Sequence, residues 1–390
     1  MSQYKNDNIL FKTIDPSDLC NQLQKNAGYL LLDVRTSGEH LDTSSFGLNV
    51  GRLKGARNID VRELGRRIRE IQPYKNKPVF VYCSHSQRSR RASKLLADSG
   101  FTKVFNINGG MTQIHYTDLA GTPCFQSLWT STSTYSIISP MEVCRRLSRD
   151  DNHVFLLDVR SDSAFRHISL DDQINAMGSL KNAVNIPLDQ LPGRVKSIPT
   201  DRDIIVLDVF GGDAGKAAKI LALNGYQHAL VLVEGIARWV SMGSAEVPCK
   251  MALYNSPVTY KLMSTLDFAQ LTREPADYLL VDVRSKEEFT NRATETWKNI
   301  GHIKNATNLQ SSVLLEGIAK LAPQKSKHII VYDFSGSAES FLAARMLVGQ
   351  GYENVTVLVN GLFDLRWTAA NRQGYAYLAD IVSDIPEQNL

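Results

Sequence analysis

The sequence predicts an α/β protein of three tandem domains, each a mainly parallel sheet flanked by helices. Three observations predict it. The phrases YLLLDVR, VFLLDVR and YLLVDVR recur along the chain, with their aspartates at Asp33, Asp158 and Asp282. Apolar runs such as LLLDV and VFVY are continuous rather than alternating, as in strands buried on both faces of a parallel sheet. Segments with helical periodicity separate these runs, as a parallel sheet requires.

The repeat extends over the whole of each unit. The three aspartates are spaced by 125 and 124 residues. A second motif follows each of them and reads GRLKGARNI, GSLKNAVNI or GHIKNATNL. A strand, a helix ending near a glycine, another strand and the turns NGG, EGI and NGL come next. Self-similarity at a fixed period indicates duplicated units, so we predict homologous domains over residues 1–127, 128–250 and 251–390.

Two kinds of segment are predicted to be irregular. Residues 121–135 are rich in Ser and Thr and residues 242–257 carry Gly, Pro and small residues, as linkers do. Each copy also has a long segment between its DVR motif and its glycine motif, for example HLDTSSFGLNV in the first copy. We expect these insertions to be loops.

Composition excludes several classes of protein. An apolar content of 43%, a charged content of 22% and a net charge of +4 are those of an ordinary globular protein. The N-terminal stretch MSQYKNDNILFK lacks the apolar core of a secretory signal, and no window approaches the roughly 20 apolar residues that span a bilayer. We therefore expect a cytoplasmic protein with no membrane partner. Nucleic acid is not an expected partner either, because the basic residues lack interleaved aromatics.

The cysteines are few, odd in number and without CxxC pairing, which favours reduced thiols over a disulfide framework. Cys20 and Cys144 occupy matching positions in helical segments and are interpreted as core residues. Cys124 and Cys249 fall in the linkers, where an ordinary thiol is favoured over an internal disulfide.

The fifth cysteine, Cys83, stands where chemistry is expected. It ends the run VFVY and opens a short loop before a helical segment. A loop that feeds a helix points backbone N–H groups inward and forms a cradle for an anion. Arg88, Arg90 and Arg91 add positive charge, which favours the reactive thiolate form of a nearby cysteine.

Taken together, the DVR motif, the glycine motif, the cysteine loop and the late NGG turn resemble those of the rhodanese (thiosulfate sulfurtransferase) family, three times over. The resemblance implies that Cys83 is the nucleophile and carries a persulfide between a sulfur donor and an acceptor. It implies a cradle for the donor anion, in which Arg88 closes the loop or binds the donor. The cradle residues are Ser84, His85, Ser86, Gln87, Arg88 and Ser89.

The length of the loop separates two reactions that share this scaffold. Cys83 and Arg88 form C-x4-R, the spacing of sulfurtransferases, whereas the related cell-cycle phosphatases have C-x5-R to enclose a phosphate. One position departs from the family pattern C-x-x-G-x-R. Ser86 stands at the glycine, where a positive φ is expected.

The other two copies are predicted to be inactive. Asp208 and Asp333 align with Cys83, and a carboxylate cannot carry a sulfane sulfur. Arg88 corresponds to Asp213 in the second copy, and the third loop, DFSGSAES, has no basic residue. Metal binding at the two aspartates is not favoured, because no ligand spacing accompanies them.

The sequence thus predicts a sulfurtransferase without cofactor or metal. Its expected partners are a small anionic sulfur donor and a thiol, cyanide or protein acceptor. Two alternatives stay open, namely a non-enzymatic scaffold or sulfur-carrier protein and, through the shared scaffold, a Cys-dependent phosphatase. Asp33, Arg35 and Glu39 are interpreted as a structural ion-pair or capping cluster.

Overall fold

In the computed structural model, residues 10–44, 48–117, 119–149, 153–274 and 276–383 are described. Each of the three repeats contains one five-stranded sheet in which every neighbouring pair of strands is parallel. Counted along each repeat, the strands have the order 1-5-4-2-3 in all three sheets. The predicted fold class is therefore confirmed.

The strands of the first sheet are Lys12–Ile14, Leu30–Asp33, Arg57–Asn58, Val79–Tyr82 and Val104–Ile107. Those of the second are Ser136–Ile138, Val154–Asp158, Val184–Asn185, Asp203–Leu207 and Ala229–Leu232. Those of the third are Lys261–Met263, Tyr278–Asp282, Thr307–Asn308, His328–Tyr332 and Val355–Leu358.

Helices connect the strands. In the first repeat these are Leu19–Lys25, Ser37–His40, Leu64–Arg67, Gln87–Asp98, Gly110–Tyr116 and Pro123–Leu128, with 3₁₀-helices at Pro16–Asp18, Ile68–Tyr74 and Leu119–Gly121. In the second they are Pro140–Arg149, Asp162–Phe165, Asp172–Ala176, Leu191–Arg194, Gly212–Leu223, Gly235–Ser241 and Lys250–Leu253, with a 3₁₀-helix at Val195–Ser197. In the third they are Thr265–Leu271, Lys286–Phe289, Leu314–Leu321, Ala338–Gly349 and Gly361–Asn371, with 3₁₀-helices at Thr296–Lys298 and Ala376–Ile381.

The continuous apolar runs form the central strands. All four residues of Val79–Tyr82 are buried, because helices cover both faces of the sheet. The helix Gln87–Asp98 lies on one face through Ala92 and Leu96, which are fully buried. Gly100, one residue beyond the C-cap Ser99, has φ +85°. The sheet thus places the end of its middle strand, where Cys83 follows, beside the start of a packed helix.

The segments predicted to be irregular are more ordered than expected. The linker after the first repeat forms the helix Pro123–Leu128 and the strand Trp129–Thr130, which pairs antiparallel with Arg52–Leu53. Similar ribbons pair Ser179–Leu180 with Tyr254–Asn255, and His302–Ile303 with Val382–Ser383. The insertion of the second repeat contains the helix Asp172–Ala176, so the loop prediction is wrong there. Asp171 stabilises that helix as its N-cap by accepting from Gln173 and Ile174.

The chain divides into two compact units that do not follow the repeat. One contains the described residues up to Arg160 together with Asn182–Gly235, and hence the first two sheets. The other contains Ser161–Lys181 and the chain from Ile236, and hence the third sheet. The domain boundaries at 127/128 and 250/251 stay predictions. None of the helices in the described residues combines the length and apolarity that a bilayer crossing demands.

Candidate active site around Cys83

Cys83 follows the middle strand of the first sheet at its carboxyl end, where open parallel sheets bind their ligands. Met111 and Thr112 donate their backbone N–H groups to the carbonyl oxygens of Cys83 and Ser84, at 2.9 and 3.1 Å. These bonds hold the first two carbonyls of the loop against the helix Gly110–Tyr116. Position 110 must be glycine, since a Cβ there would collide with the Cys83 carbonyl.

Ser86 adopts the backbone conformation expected of a glycine. Its φ is +81°, and the equivalent positions of the other two repeats are Gly211, with φ +92°, and Gly336, with φ +72°. Such a conformation costs a non-glycine residue about 1 kcal/mol or more. The Ser86 hydroxyl offsets this cost, because it accepts from the N–H of Gly109 and donates to Asn108 Oδ1 at 3.3 Å. The side chain thus fastens the loop to the neighbouring turn.

Arg88 closes the loop through a carboxylate from another element. Its two terminal nitrogens donate to both oxygens of Glu39 at 2.7 Å, and one of them also donates to Ser84 Oγ at 3.1 Å. Burial raises the pKa of Glu39, but the hydrogen bonds and charge of Arg88 outweigh it and hold the pKa at about 2. The bond to Glu39 in turn raises the pKa of Arg88. The pair is therefore ionised throughout the physiological range.

Glu39 also caps its own helix, through reciprocal bonds with Thr36 that form a capping box. Asp33, Arg35 and Glu39 were predicted to form a structural ion-pair or capping cluster. This prediction is confirmed for Asp33 and Arg35, which are buried and pair at 2.7 Å. For Glu39 that interpretation was incomplete, because this carboxylate belongs to the Cys83 loop as well. The second repeat has Ala164 instead of Glu39 and Asp213 instead of Arg88, so it lacks both partners.

A polar pair lies beside the sulfur. Cys83 is 1% exposed, and its Sγ lies 3.6 Å from Ser89 Oγ. Ser89 Oγ donates to Asn106 Oδ1 at 2.6 Å. Asn106 is fully buried in the strand Val104–Ile107, where the other repeats have Val231 and Val357. Its Nδ2 has no hydrogen-bond partner in the described structure. Buried polar groups are costly, and valines stand in place of Asn106 in the other repeats, so an asparagine near the cysteine calls for a functional explanation.

The loop of the second repeat contains its own anion. The Asp208 carboxylate accepts from the backbone N–H of Gly211, of Asp213 at 2.7 Å and of Ala214 at 3.2 Å. Burial raises the pKa of Asp208, and these three donors oppose that rise. The donors correspond to Ser86, Arg88 and Ser89 of the first loop.

The loop of the third repeat is filled in the same way. The Asp333 carboxylate accepts from the N–H groups of Ser335, Gly336 and Ser340, at 3.0 and 3.1 Å for the first and third, and from the hydroxyl of Ser337 at 2.8 Å. Two of the three loops therefore use their N–H groups to bind a carboxylate. At the first loop the residue in that position is Cys83, which has no carboxylate.

The residues predicted for the site lie together on one loop. Gln87, Arg88 and Ser89 are the first three residues of the helix Gln87–Asp98, whose N–H groups have no acceptor within the helix. Ser84 donates to Glu39 at 3.1 Å, and His85 projects outward with a side chain 60% exposed. The sequence did not point to Asn106 or to Glu234, which contacts His85, and it assigned Glu39 only a structural role. Asn106 could have been found by asking which polar residues of the cysteine repeat align with apolar residues in both other repeats, whereas Glu39 has the counterpart Glu288 in the third repeat.

The thiol predictions for the other cysteines are wrong. Cys20 and Cys124 form a disulfide, with Cα atoms 6.4 Å apart. Cys144 and Cys249 are also disulfide-bonded, which leaves Cys83 as the free cysteine of the five, all of which lie in described segments. The helix Pro123–Leu128 brings Cys124 within bridging distance of the helix that bears Cys20. Because the linker was predicted to be irregular, this approach was not foreseen.

Comparison with known proteins agrees with the threefold repeat. The family model described as Rhodanese-like domain matches residues 16–116, 140–242 and 265–367. The protein YqhL of Bacillus subtilis strain 168, described as uncharacterized, is 39% identical over 87 residues, which cover 22% of this chain and 61% of that protein. The tRNA uridine(34) hydroxylase of Cytophaga hutchinsonii is 30% identical over 103 residues, 26% of this chain and 30% of the hydroxylase. The thiosulfate sulfurtransferase GlpE of Pseudomonas putida strain F1 is 30% identical over 100 residues, 26% of this chain and 81% of that protein.

The solved structures that resemble this chain are distant from it in sequence and in overall superposition. The thiosulfate sulfurtransferase from Pseudomonas aeruginosa is 15% identical, with a TM-score of 0.24 over 89% of this chain and 66% of that one. The anaerobic ergothioneine biosynthesis enzyme from Chlorobium limicola is 15% identical, with a TM-score of 0.30 over 96% of this chain and all of that one. The family model alone matches most of the chain. With that match and three sheets of identical strand order, the chain belongs to the rhodanese-like family as a tandem of three such domains.

Proposed function

We propose that this protein is a sulfurtransferase that moves a sulfane sulfur from an anionic donor such as thiosulfate to a thiophilic acceptor through Cys83. The Cys83 thiolate attacks the outer sulfur of thiosulfate, the sulfur–sulfur bond of the donor breaks, and sulfite leaves with the bonding electrons. The acceptor, for example cyanide or a thiolate, then attacks the terminal sulfur of the persulfide. That step releases the sulfurated product and restores the thiolate, so no oxidant or cofactor is consumed.

The observation that carries the proposal is the difference between the first loop and its two sister loops. In those loops the N–H groups bind the carboxylates of Asp208 and Asp333. The same groups at the Cys83 loop are available to an external anion, first the donor and then the terminal sulfur of the persulfide. Binding of carboxylates by the two sister loops therefore supports the proposal that the loop beside the free thiol binds an anion.

Arg88 has the role of loop closure in this proposal. Both of its terminal nitrogens donate to Glu39, so in this proposal Arg88 stabilises the loop and does not bind the donor. The relatives from Pseudomonas putida and Escherichia coli, named thiosulfate sulfurtransferase, support rhodanese-type sulfur chemistry for this family. The identity of the donor and of the acceptor in the cell is part of the proposal.

The test is the formation of thiocyanate from thiosulfate and cyanide by the full-length protein and by Cys83→Ser. Thiocyanate from the wild type alone is expected. Asp208→Ala and Asp333→Ala serve as matched controls, because they alter the same position in the other loops and should retain the activity. No thiocyanate above the Cys83→Ser control would count against the proposal and favour the scaffold alternative. Turnover of an aryl phosphate that Cys83→Ser abolishes would favour the phosphatase.

The cellular location is a prediction on which the disulfides bear. The sequence predicts the cytoplasm, where thiols are kept reduced, whereas a disulfide such as Cys20–Cys124 persists in oxidising compartments. Alkylation of free thiols in freshly lysed cells, followed by mass spectrometry, decides between the two. Labelled Cys20 and Cys124 would support the cytoplasm, and protected ones would contradict it.

A further inference from the structure

Glu234 of the second repeat has a backbone conformation that its side chain does not favour. It lies in the turn between the strand Ala229–Leu232 and the helix Gly235–Ser241, with φ +54°. The equivalent residues of the other repeats are Gly109 and Asn360, with φ +65° and +68°. Glycine and asparagine tolerate this conformation better than glutamate does. A glutamate retained there suggests that its side chain has a function.

The Glu234 side chain contacts the Cys83 loop of the first repeat. Its Oε1 lies 2.7 Å from Nε2 of His85, two residues after the cysteine. The hydroxyl of Thr112 lies 3.3 Å from the same nitrogen. Thr112 is buried, and its N–H binds the carbonyl of Ser84. The His85 ring is therefore held between an element of the second repeat and the helix that supports the loop.

The first and second repeats also pack against each other within the same compact unit. Leu48 of the first repeat packs against the core of the second. A Cβ at Gly215, on the helix Gly212–Leu223, would lie 3.4 Å from Leu48 and 3.0 Å from the hydroxyl of Tyr135. That hydroxyl accepts the N–H of Asn49 at 3.0 Å. The first and second repeats therefore also meet through an apolar contact, in addition to the contact of Glu234 with His85.

We propose that Glu234 is a positioning residue of the Cys83 site that acts through His85 and selects sulfur donors by their charge. This inference rests on the sulfurtransferase function proposed above. The carboxylate orients the His85 ring at the loop entrance and adds one negative charge there. It therefore opposes a dianionic donor such as thiosulfate more than a singly charged one. The substrate class that fits this entrance best is a monoanionic sulfane donor, such as a thiosulfonate or an organic persulfide.

The test compares two donors that share their chemistry and differ by one charge, thiosulfate and methanethiosulfonate. Attack on either forms the same Cys83 persulfide, with sulfite or methanesulfinate leaving. The variant is Glu234→Gln, which keeps the size of the side chain and removes its charge. The charge is removed irrespective of the other groups that this side chain contacts.

Because the interaction energy is proportional to charge, the fold-change for a dianion is about the square of that for a monoanion. We expect Glu234→Gln to lower KM for thiosulfate about fivefold and KM for methanethiosulfonate about twofold, with kcat nearly unchanged. Asp213→Asn removes a carboxylate from the second repeat's own loop, where it pairs with Lys216, and should change neither KM. If Glu234→Gln folds poorly, Glu234→Asn supplies the same test with a residue that suits the turn.

The possible outcomes separate this inference from the function on which it rests. A wild-type protein that turns over both donors, with a variant whose KM values are unchanged or shift equally, overturns the role of Glu234 alone. Donor-independent loss of kcat together with a lower melting temperature would indicate a structural role and overturns it too. A wild-type protein that forms no persulfide with either donor overturns both proposals.

Discussion

Replacing Glu39 by Gln tests what Arg88 does at the Cys83 loop. The pKa of Glu39 is held at about 2, roughly two units below an ordinary glutamate, which corresponds to about 3 kcal/mol at about 1.4 kcal/mol per unit. The side chains of Arg88 and Glu39 are 32% and 18% exposed, so solvent screens the pair. We therefore expect Glu39→Gln to lower the free energy of unfolding by about 1–2 kcal/mol. Since folding lowers this pKa, the stabilisation is complete above about pH 4.3 and is lost as the pH falls toward 2.

The assay is thiosulfate–cyanide turnover of Glu39→Gln beside thermal unfolding. If Arg88 closes the cradle, a loosened pair should lower kcat/KM by about tenfold, the effect of about 1.4 kcal/mol in the transition state. Glu288→Gln is the matched control, because Glu288 occupies the same position in the third repeat and pairs with Lys298 at 3.2 Å. It should leave turnover unchanged.

The opposite result would refute this assignment. If Arg88 bound the donor and Glu39 merely competed for it, Glu39→Gln would free the guanidinium and lower KM for thiosulfate. A variant more active than the wild type therefore contradicts loop closure.

Three further predictions concern the loop and its surroundings. Cys83→Asp should be inactive yet unfold at a higher temperature than Cys83→Ser, because the new carboxylate would accept hydrogen bonds from the N–H groups of the loop, as in the sister loops. Equal melting temperatures would contradict the claim that this loop binds an anion. Ser86→Ala should lose about 1 kcal/mol more stability than Ser86→Gly in chemical denaturation, since alanine keeps the positive φ and glycine relieves it. Burial lowers the pKa of His115 to about 4. Between about pH 6.5 and pH 4 the unfolded chain therefore binds a proton at this residue that the folded chain does not, so stability should fall as the pH is lowered through this range. His115→Gln should flatten that part of a plot of the urea midpoint against pH.

The fold was predictable because its evidence is repeated along the chain. Three copies of one pattern showed which apolar runs are strands and aligned Asp208 and Asp333 with Cys83. The positive φ of Ser86 was expected from the family pattern C-x-x-G-x-R, which has glycine at this position, and the structure confirms it. Local sequence carries this information, since φ preferences and burial periodicity belong to single residues and short segments.

The contacts that complete the site were harder to predict, because they join distant parts of the chain. Arg88 and Glu39 meet across 49 residues, and His85 and Glu234 across 149. The Cys20–Cys124 bridge required knowing that a Ser/Thr-rich segment begins with a helix packed near the first one. Cysteine spacing alone does not give such a pairing.

Mass spectrometry of the protein after incubation with thiosulfate tests the central claim most directly. The account predicts a gain of one sulfur atom per chain, located on the peptide that contains Cys83 and removed by cyanide with release of thiocyanate. The peptides with Cys20, Cys124, Cys144 and Cys249 should be unchanged. An unmodified Cys83, or sulfur carried at another cysteine, would contradict the claim that this loop is a sulfurtransferase site.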